Sequence, residues 1–254
     1  AAHAAGERIV HRSDILSLLM NTKRAVTVAG AHGKTTTSSM LAHILTHAGE
    51  GNLADPSYAI GGSIQGKDGM MLDGGHAGQG DVLVAEADES DGSFAKYHPE
   101  IAIVTNSEAD HLDHYGTQEN YRAAFVDHVQ HAVKSVVMCG DDEGNLAVLR
   151  ALDASAAAHT VVYATRDAAS LGDLNGAAFV HIESESESAQ SGAEHFTLHV
   201  PAGLLCEQER MVSVTLAVPG IHNARNASAA IIAAALLGVD IEKAAEAATS
   251  FLGA

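Results

Sequence analysis

Residues 25–37 read Ala25-Val26-Thr27-Val28-Ala29-Gly30-Ala31-His32-Gly33-Lys34-Thr35-Thr36-Thr37. An apolar, β-branched run that stops at a glycine suits a buried parallel strand. From Lys34 to His47 the apolar residues Met40, Leu41, Ile44 and Leu45 recur at helical spacing, and Gly49 closes the segment. The stretch therefore predicts strand, glycine loop, helix. In that setting Gly30, Ala31, His32, Gly33, Lys34, Thr35 and Thr36 make a phosphate cradle. Amides of the turn and of the helix start face the anion, Lys34 neutralises β and γ oxygens, and the Thr35 hydroxyl can ligate Mg2+. The long form of such a loop has a further glycine at the position of Val28, so this is a shorter variant, GxxGKTT.

Working outward, apolar runs recur at Val82–Ala85, Ile101–Val104, Val136–Met138 and Val161–Tyr163, with helix-like segments at Asn120–Val133 and Asn145–Ala154. This alternation predicts an α/β fold, a mainly parallel P-loop-type sheet flanked by helices. Past residue 175 the pattern changes to period two at Phe179–Ile182, His195–Val200 and Met211–Leu216, which predicts a small antiparallel sheet as an annex. The acidic tract Glu183–Gly192 cannot bury a face and reads as a mobile loop. Asn223–Leu237 and Ile241–Leu252 read as two Ala-rich helices, the second capped by Asp240.

The composition narrows the function classes. With 254 residues, 46% hydrophobic and 18% charged, the chain is expected to be soluble and globular, without a signal peptide. Its longest near-apolar stretch, Ala227–Val239, is too short to span a bilayer. Fourteen Lys and Arg against 32 Asp and Glu give a net charge of -18, which opposes a broad grip on nucleic acid, so any polyanion contact must be local. Cys139 and Cys206 lie far apart without metal spacing and read as reduced thiols of a cytoplasmic protein.

Three more constellations carry chemistry. The strand at residues 82–85 runs into Glu86-Ala87-Asp88-Glu89-Ser90-Asp91, which sets Glu86 at the carboxyl end of the sheet beside the loop as a candidate Mg2+ ligand. Asp88, Glu89 and Asp91 read more as solvated acids. The strand at residues 101–104 ends in Thr105-Asn106 and continues to Asp110-His111, so Asn106, Asp110 and His111 fall on the same edge, where His111 could hold a second divalent ion or orient a phosphoryl group. Finally, Pro219-Gly220-Ile221-His222-Asn223-Ala224-Arg225-Asn226 is a turn that launches a helix. His222, Asn223 and Asn226 could face a nucleotide base, or Asn223 could merely cap the helix.

Together these motifs resemble the Mur ligase family. Gly30-Ala31-His32-Gly33-Lys34-Thr35-Thr36-Thr37 is similar to its GTHGKTTT, with Ala31 where Thr is usual. Glu86 to Phe94 with His98-Pro99, Thr105 to Asp113, and Pro219 to Asn226 match its EADESDxSF, TNxExDHxD and PGxHNxxN segments in order. The resemblance implies an ATP-dependent, amide-forming ligase of peptidoglycan precursor synthesis, joining L-alanine to UDP-N-acetylmuramate through an acyl phosphate. It implies that Lys34 contacts the β and γ phosphates, that Thr35 and Glu86 ligate one Mg2+ and His111 a second, and that His222, Asn223 and Asn226 line the nucleotide site. On this reading Lys34, His111 and Glu86 carry the catalysis. Two other readings stay open: a ligase that attaches a recycled peptide to the same sugar nucleotide, and a P-loop ATPase switch. Members of the family have three domains, so the resemblance implies a linker at 1–24, a central ATP-binding domain at 25–254 and two domains outside this sequence. Alone, such a domain is expected to bind Mg-ATP weakly and not to ligate.

Overall fold

Five successive buried positions, Ala25 to Ala29, require cover on both faces of the strand they form. The computed structural model describes residues 9–65, 70–108, 112–184 and 192–253 and supplies that cover. In chain order the elements begin with α1 (Arg12–Met20), β1 (Arg24–Ala29), α2 (Lys34–Ala48), β2 (Ser57–Ala59), β3 (Ile64–Gln65), β4 (Met71–Leu72), β5 (Gly75–His76) and β6 (Val82–Glu86). Next come β7 (Ile101–Val104), α3 (Leu112–Tyr115), α4 (Gln118–Gln130), β8 (Ser135–Cys139), α5 (Glu143–Ala151), α6 (Ala154–Ala158), β9 (Thr160–Ala164) and α7 (Ala168–Leu171). The last are β10 (Ala178–Ser184), β11 (Glu194–Val200), β12 (Arg210–Leu216), α8 (Ile221–Leu237) and α9 (Ile241–Thr249).

Among the described residues ten strands form one sheet in the order β12-β11-β10-β9-β8-β7-β1-β6-β2-β5. From β10 to β2 every neighbouring pair is parallel. The antiparallel strands expected past residue 175 are β10–β12, and they continue the main sheet, because β10 pairs parallel with β9 and antiparallel with β11. The register sets Val28 opposite Glu86 and Ala29 opposite Val104. The loop after β1, the Glu86 carboxylate and the residues after β7 therefore leave the sheet at one edge.

Alternate side chains of β1 feed two cores. Val26 and Val28 pack with Met40, Leu41 and Ile44 of α2 and with Ile231 and Ile232 of α8. Ala25 and Ala29 join Phe94, Tyr121, Phe125 and Val129 on the opposite face. The alanines of α8 let that helix lie close against α2, α9 and strands β7–β11, so most of its surface is buried. Asp240 caps α9, its carboxylate accepting from the amides of Glu242 and Lys243.

Within the segment read as a linker, α1 is a helix with a capping box made by His11 and Asp14. Ion pairs Arg12–Asp88 and Lys96–Asp14 tie it to the segment after β6. Most of the acidic tract read as a mobile loop, residues 185–191, lies outside the described residues. Among the described residues no helix is long and apolar enough to cross a membrane.

Candidate active site

The loop between β1 and α2 is built against its neighbours so closely that glycine is required. Gly30 has φ +134°, and a Cβ there would stand 2.2 Å from Thr105 Oγ1. Gly33 has φ +83°, and its Cβ would stand 2.7 Å from Asn226 Oδ1. Both positions lie in the left-handed region that disfavours side chains. His32, between them, is held by its backbone: its N–H donates to Asn106 Oδ1 at 3.1 Å, and its carbonyl accepts from Asn106 Nδ2 at 2.8 Å and Thr105 Oγ1 at 2.6 Å. Thr37 is the first residue of α2 whose amide bonds back, to the Gly33 carbonyl at 2.9 Å. The amides before it have no acceptor within the helix and sit at its positive end, which is the arrangement that binds phosphate.

Lys34 opens α2 with its ammonium folded over the loop. It donates to the Gly30 carbonyl at 2.5 Å and to both oxygens of Glu89 at 3.0 and 3.1 Å. Glu89 is fully buried, which corrects its reading as a solvated acid. The Tyr115 hydroxyl donates to the Glu89 carbonyl. Burial, followed by the charges of Glu89, Asp91 and Asp88, pushes that phenol up to about 12. Asp88 and Asp91 accept from the amides of Ser90 and Ser93, so these acids shape the turn after β6. Glu86 ends β6, and its Oε1 accepts from the Gly61 amide at 2.7 Å.

Two clefts flank β1. One, of about 430 Å3, is bordered by His32, Gly33 and Thr36 of the loop region, by Asn106 after β7 and by His222 and Asn226 of α8. Asp141 and Arg225 also line it, joined at 2.7 Å from Arg225 Nε to Asp141 Oδ2. Burial raises the Asp141 carboxyl, but bonds from the Thr165 amide and hydroxyl and the Arg225 charge more than offset this and hold it below the usual carboxylate range. The other cleft, of about 710 Å3, lies on the β6 side and is lined by Glu86, Gly61, Arg12 and Tyr97.

The structure thus gathers Gly30, His32, Gly33, Lys34, Thr36, His222 and Asn226 around one loop, with Ala31 and Thr35 carried in the same stretch and Glu86 across β1. Asn223 is placed differently. Its Nδ2 donates to the Pro219 carbonyl at 2.8 Å, so its amide braces the turn that launches α8 instead of lining the cleft. Asp110 and His111 lie outside the described residues. Among the described residues no three His, Cys, Asp or Glu side chains come together as a metal site. The Thr35 hydroxyl and the Glu86 carboxylate fit Mg2+, which takes hard oxygen donors and few of them from protein.

Glu89, Glu194 and the Asp141–Arg225 pair escaped the sequence reading as residues of the site. Glu194 Oε2 accepts from the Gly220 amide at 3.0 Å and Oε1 from Ser184 Oγ at 3.1 Å, so β11 fixes the turn that delivers His222 and Asn226. The alternation of β11 had carried the signal, because Glu194 stands in the inward phase with Phe196, Leu198 and Val200. Cys139 and Cys206 are both free, and burial pushes the Cys139 thiol up to about 11.

Comparison with known proteins agrees with this fold. The UDP-N-acetylmuramate–L-alanine ligase of Bifidobacterium adolescentis is 82% identical over 254 residues, covering 100% of this chain and 49% of that protein. The solved UDP-N-acetylmuramate-alanine ligase of Thermotoga maritima has a TM-score of 0.73 at 26% identity, covering 99% of this chain and 51% of that one. The UDP-N-acetylmuramate:L-alanyl-gamma-D-glutamyl-meso-diaminopimelate ligase of Neisseria meningitides shares the fold, with a TM-score of 0.74 at 23% identity and coverage of 100% and 74%. The chain spans about half the length of the curated relatives it matches. A family model described as Mur ligase middle domain matches residues 28–234, a span that holds the loop, Glu86 and the α8 turn together, and the chain belongs to the Mur ligase family.

Proposed function

We propose that this chain is the central ATP-handling domain of a longer, cytoplasmic ligase that joins L-alanine to UDP-N-acetylmuramate. In this reading residues 1–24 lead in from a preceding domain and residues 25–254 form the central one. The observation that carries it is the loop itself: glycines with no room for a side chain, a peptide pinned by Thr105 and Asn106, and an ammonium poised over free helix-start amides. The 82% identity to a ligase of that name supports the choice of substrates.

In the reaction, the γ-phosphoryl of ATP passes to the substrate carboxylate and the alanine amine then displaces phosphate from the acyl group. Such transfers need positioning and charge neutralisation more than covalent help. Lys34 and the α2 amides hold the β and γ phosphates. His222 and Asn226 face the nucleotide from α8, with Asn223 steadying their turn. Thr35 and Glu86 would hold one Mg2+ and His111 a second, and that charge would neutralise the transferring group. The cleft on the Glu86 side leaves room for the acceptor. The other two substrates and the exclusion of water depend on the rest of the protein, so the 254-residue chain alone binds Mg-ATP weakly and does not ligate.

Mass spectrometry of full-length reactions tests this. ATP, UDP-N-acetylmuramate and L-alanine should give the alanyl sugar nucleotide, and Lys34→Ala should slow its formation by about 100-fold or more. Normal turnover of Lys34→Ala would refute the assignment.

A further inference from the structure

The Lys34 ammonium has three N–H donors and no acceptor. One meets the Gly30 carbonyl, and the two Glu89 oxygens, at 3.0 and 3.1 Å on one carboxylate, lie close enough in direction from the nitrogen for a single N–H to serve both. The lysine side chain is 18% exposed, while the glutamate side chain is 0% exposed. The Glu89 backbone is fixed as well, because its carbonyl accepts from both the Tyr115 hydroxyl and the Gly92 amide. A carboxylate so placed opposes an incoming phosphate by charge repulsion, so it brings no gain in nucleotide affinity. What it supplies is orientation.

We infer that Glu89 is a positioning residue: with the Gly30 carbonyl it occupies two donors of Lys34 and aims the third at the phosphate before the nucleotide arrives. This rests on the ligase reading above for its catalytic consequence, while the buried pair itself can be tested without substrates. Removing one partner of a buried pair is costly because the other is left uncompensated. Removing both should cost less than the sum.

Two measurements decide it. In thermal melts of this chain, Lys34→Met should lower Tm by about 6 °C or more, and adding Glu89→Gln should restore at least half of that loss. Additive losses would overturn the brace. In the full-length ligase, Glu89→Gln should lower kcat by about 10- to 100-fold while KM for ATP stays level or falls, since orientation is lost but repulsion is relieved. A raised KM with kcat intact would overturn the positioning role. Coupled melts with no ATP-dependent ligation by the wild-type protein would overturn the ligase reading and with it the catalytic role. Additive melts with normal wild-type ligation would overturn the brace alone.

Discussion

The two ends of the sheet solve the burial problem differently. Strands β1, β6 and β7 are buried on both faces, so their interiors are apolar apart from Thr27, and the polar groups of the site gather at their carboxyl ends. Strands β11 and β12 bury alternate residues and show the rest to solvent. The consequence is a division of labour. The parallel part concentrates its polar chemistry at one edge, whereas the antiparallel part has a buried face to spare and uses one inward position, Glu194, to hold the α8 turn from behind.

This contrast can be broken or sharpened by substitution. The largest effect is expected under the parallel part, where Phe125 meets Phe94 and Tyr121 at ring distances of 5.1 and 5.0 Å. Phe125→Ala should cost about 3–5 kcal/mol, read as a fall in Tm of about 6–20 °C. Next is a pH effect at His128, fully buried on α4, with Nδ1 against the Phe94 carbonyl and Nε2 against Thr27 Oγ1 of β1. Burial lowers this imidazole to about 4. As pH falls through about 6.5 the unfolded chain takes up a proton that the folded one refuses until about 4. Stability is therefore full above that window, and about 3 kcal/mol is lost across it. Melts at pH 7 and 4.5 should show the loss, and His128→Gln should flatten it.

Smaller effects belong to the antiparallel part. Glu194→Ala leaves the Gly220 amide without its acceptor and should cost about 1–3 kcal/mol in a denaturant titration. Since the α8 turn loosens, nucleotide binding by the full-length protein should weaken with it. At the far edge, Met211 on β12 is 66% exposed, and Met211→Lys should change stability by no more than about 0.5 kcal/mol. A loss at Met211 equal to that at Phe125 would erase the distinction between the two parts.

The same contrast explains what was legible in the sequence. Ala25 to Thr37 announced strand, loop and helix because a two-face burial and a helical period are both local patterns. Strands β6, β7, β8 and β9 followed for the same reason, whereas β2, three residues long, carried no pattern of its own. The contents of the site were harder. In Asp88-Glu89-Ser90-Asp91 nothing local distinguishes the acid that turns inward, since Glu89 is buried by contacts with Lys34 and Tyr115, 55 and 26 residues away. Asp141 with Arg225 is another such pair, 84 residues apart. The continuity of β10 with β9 was equally hidden, because a change from apolar runs to alternation marks a change in exposure and not the end of a sheet. The helix α1 was missed because Ile15, Leu16, Leu18, Leu19 and Met20 run almost unbroken through its second half and leave no clean helical period.

Phosphate release by the full-length protein bears most directly on the central claim, that the Gly30–Thr37 loop serves a ligase. Release should require ATP, UDP-N-acetylmuramate and L-alanine together and should collapse in Lys34→Ala. Steady release with ATP alone, indifferent to the other two substrates, would contradict it.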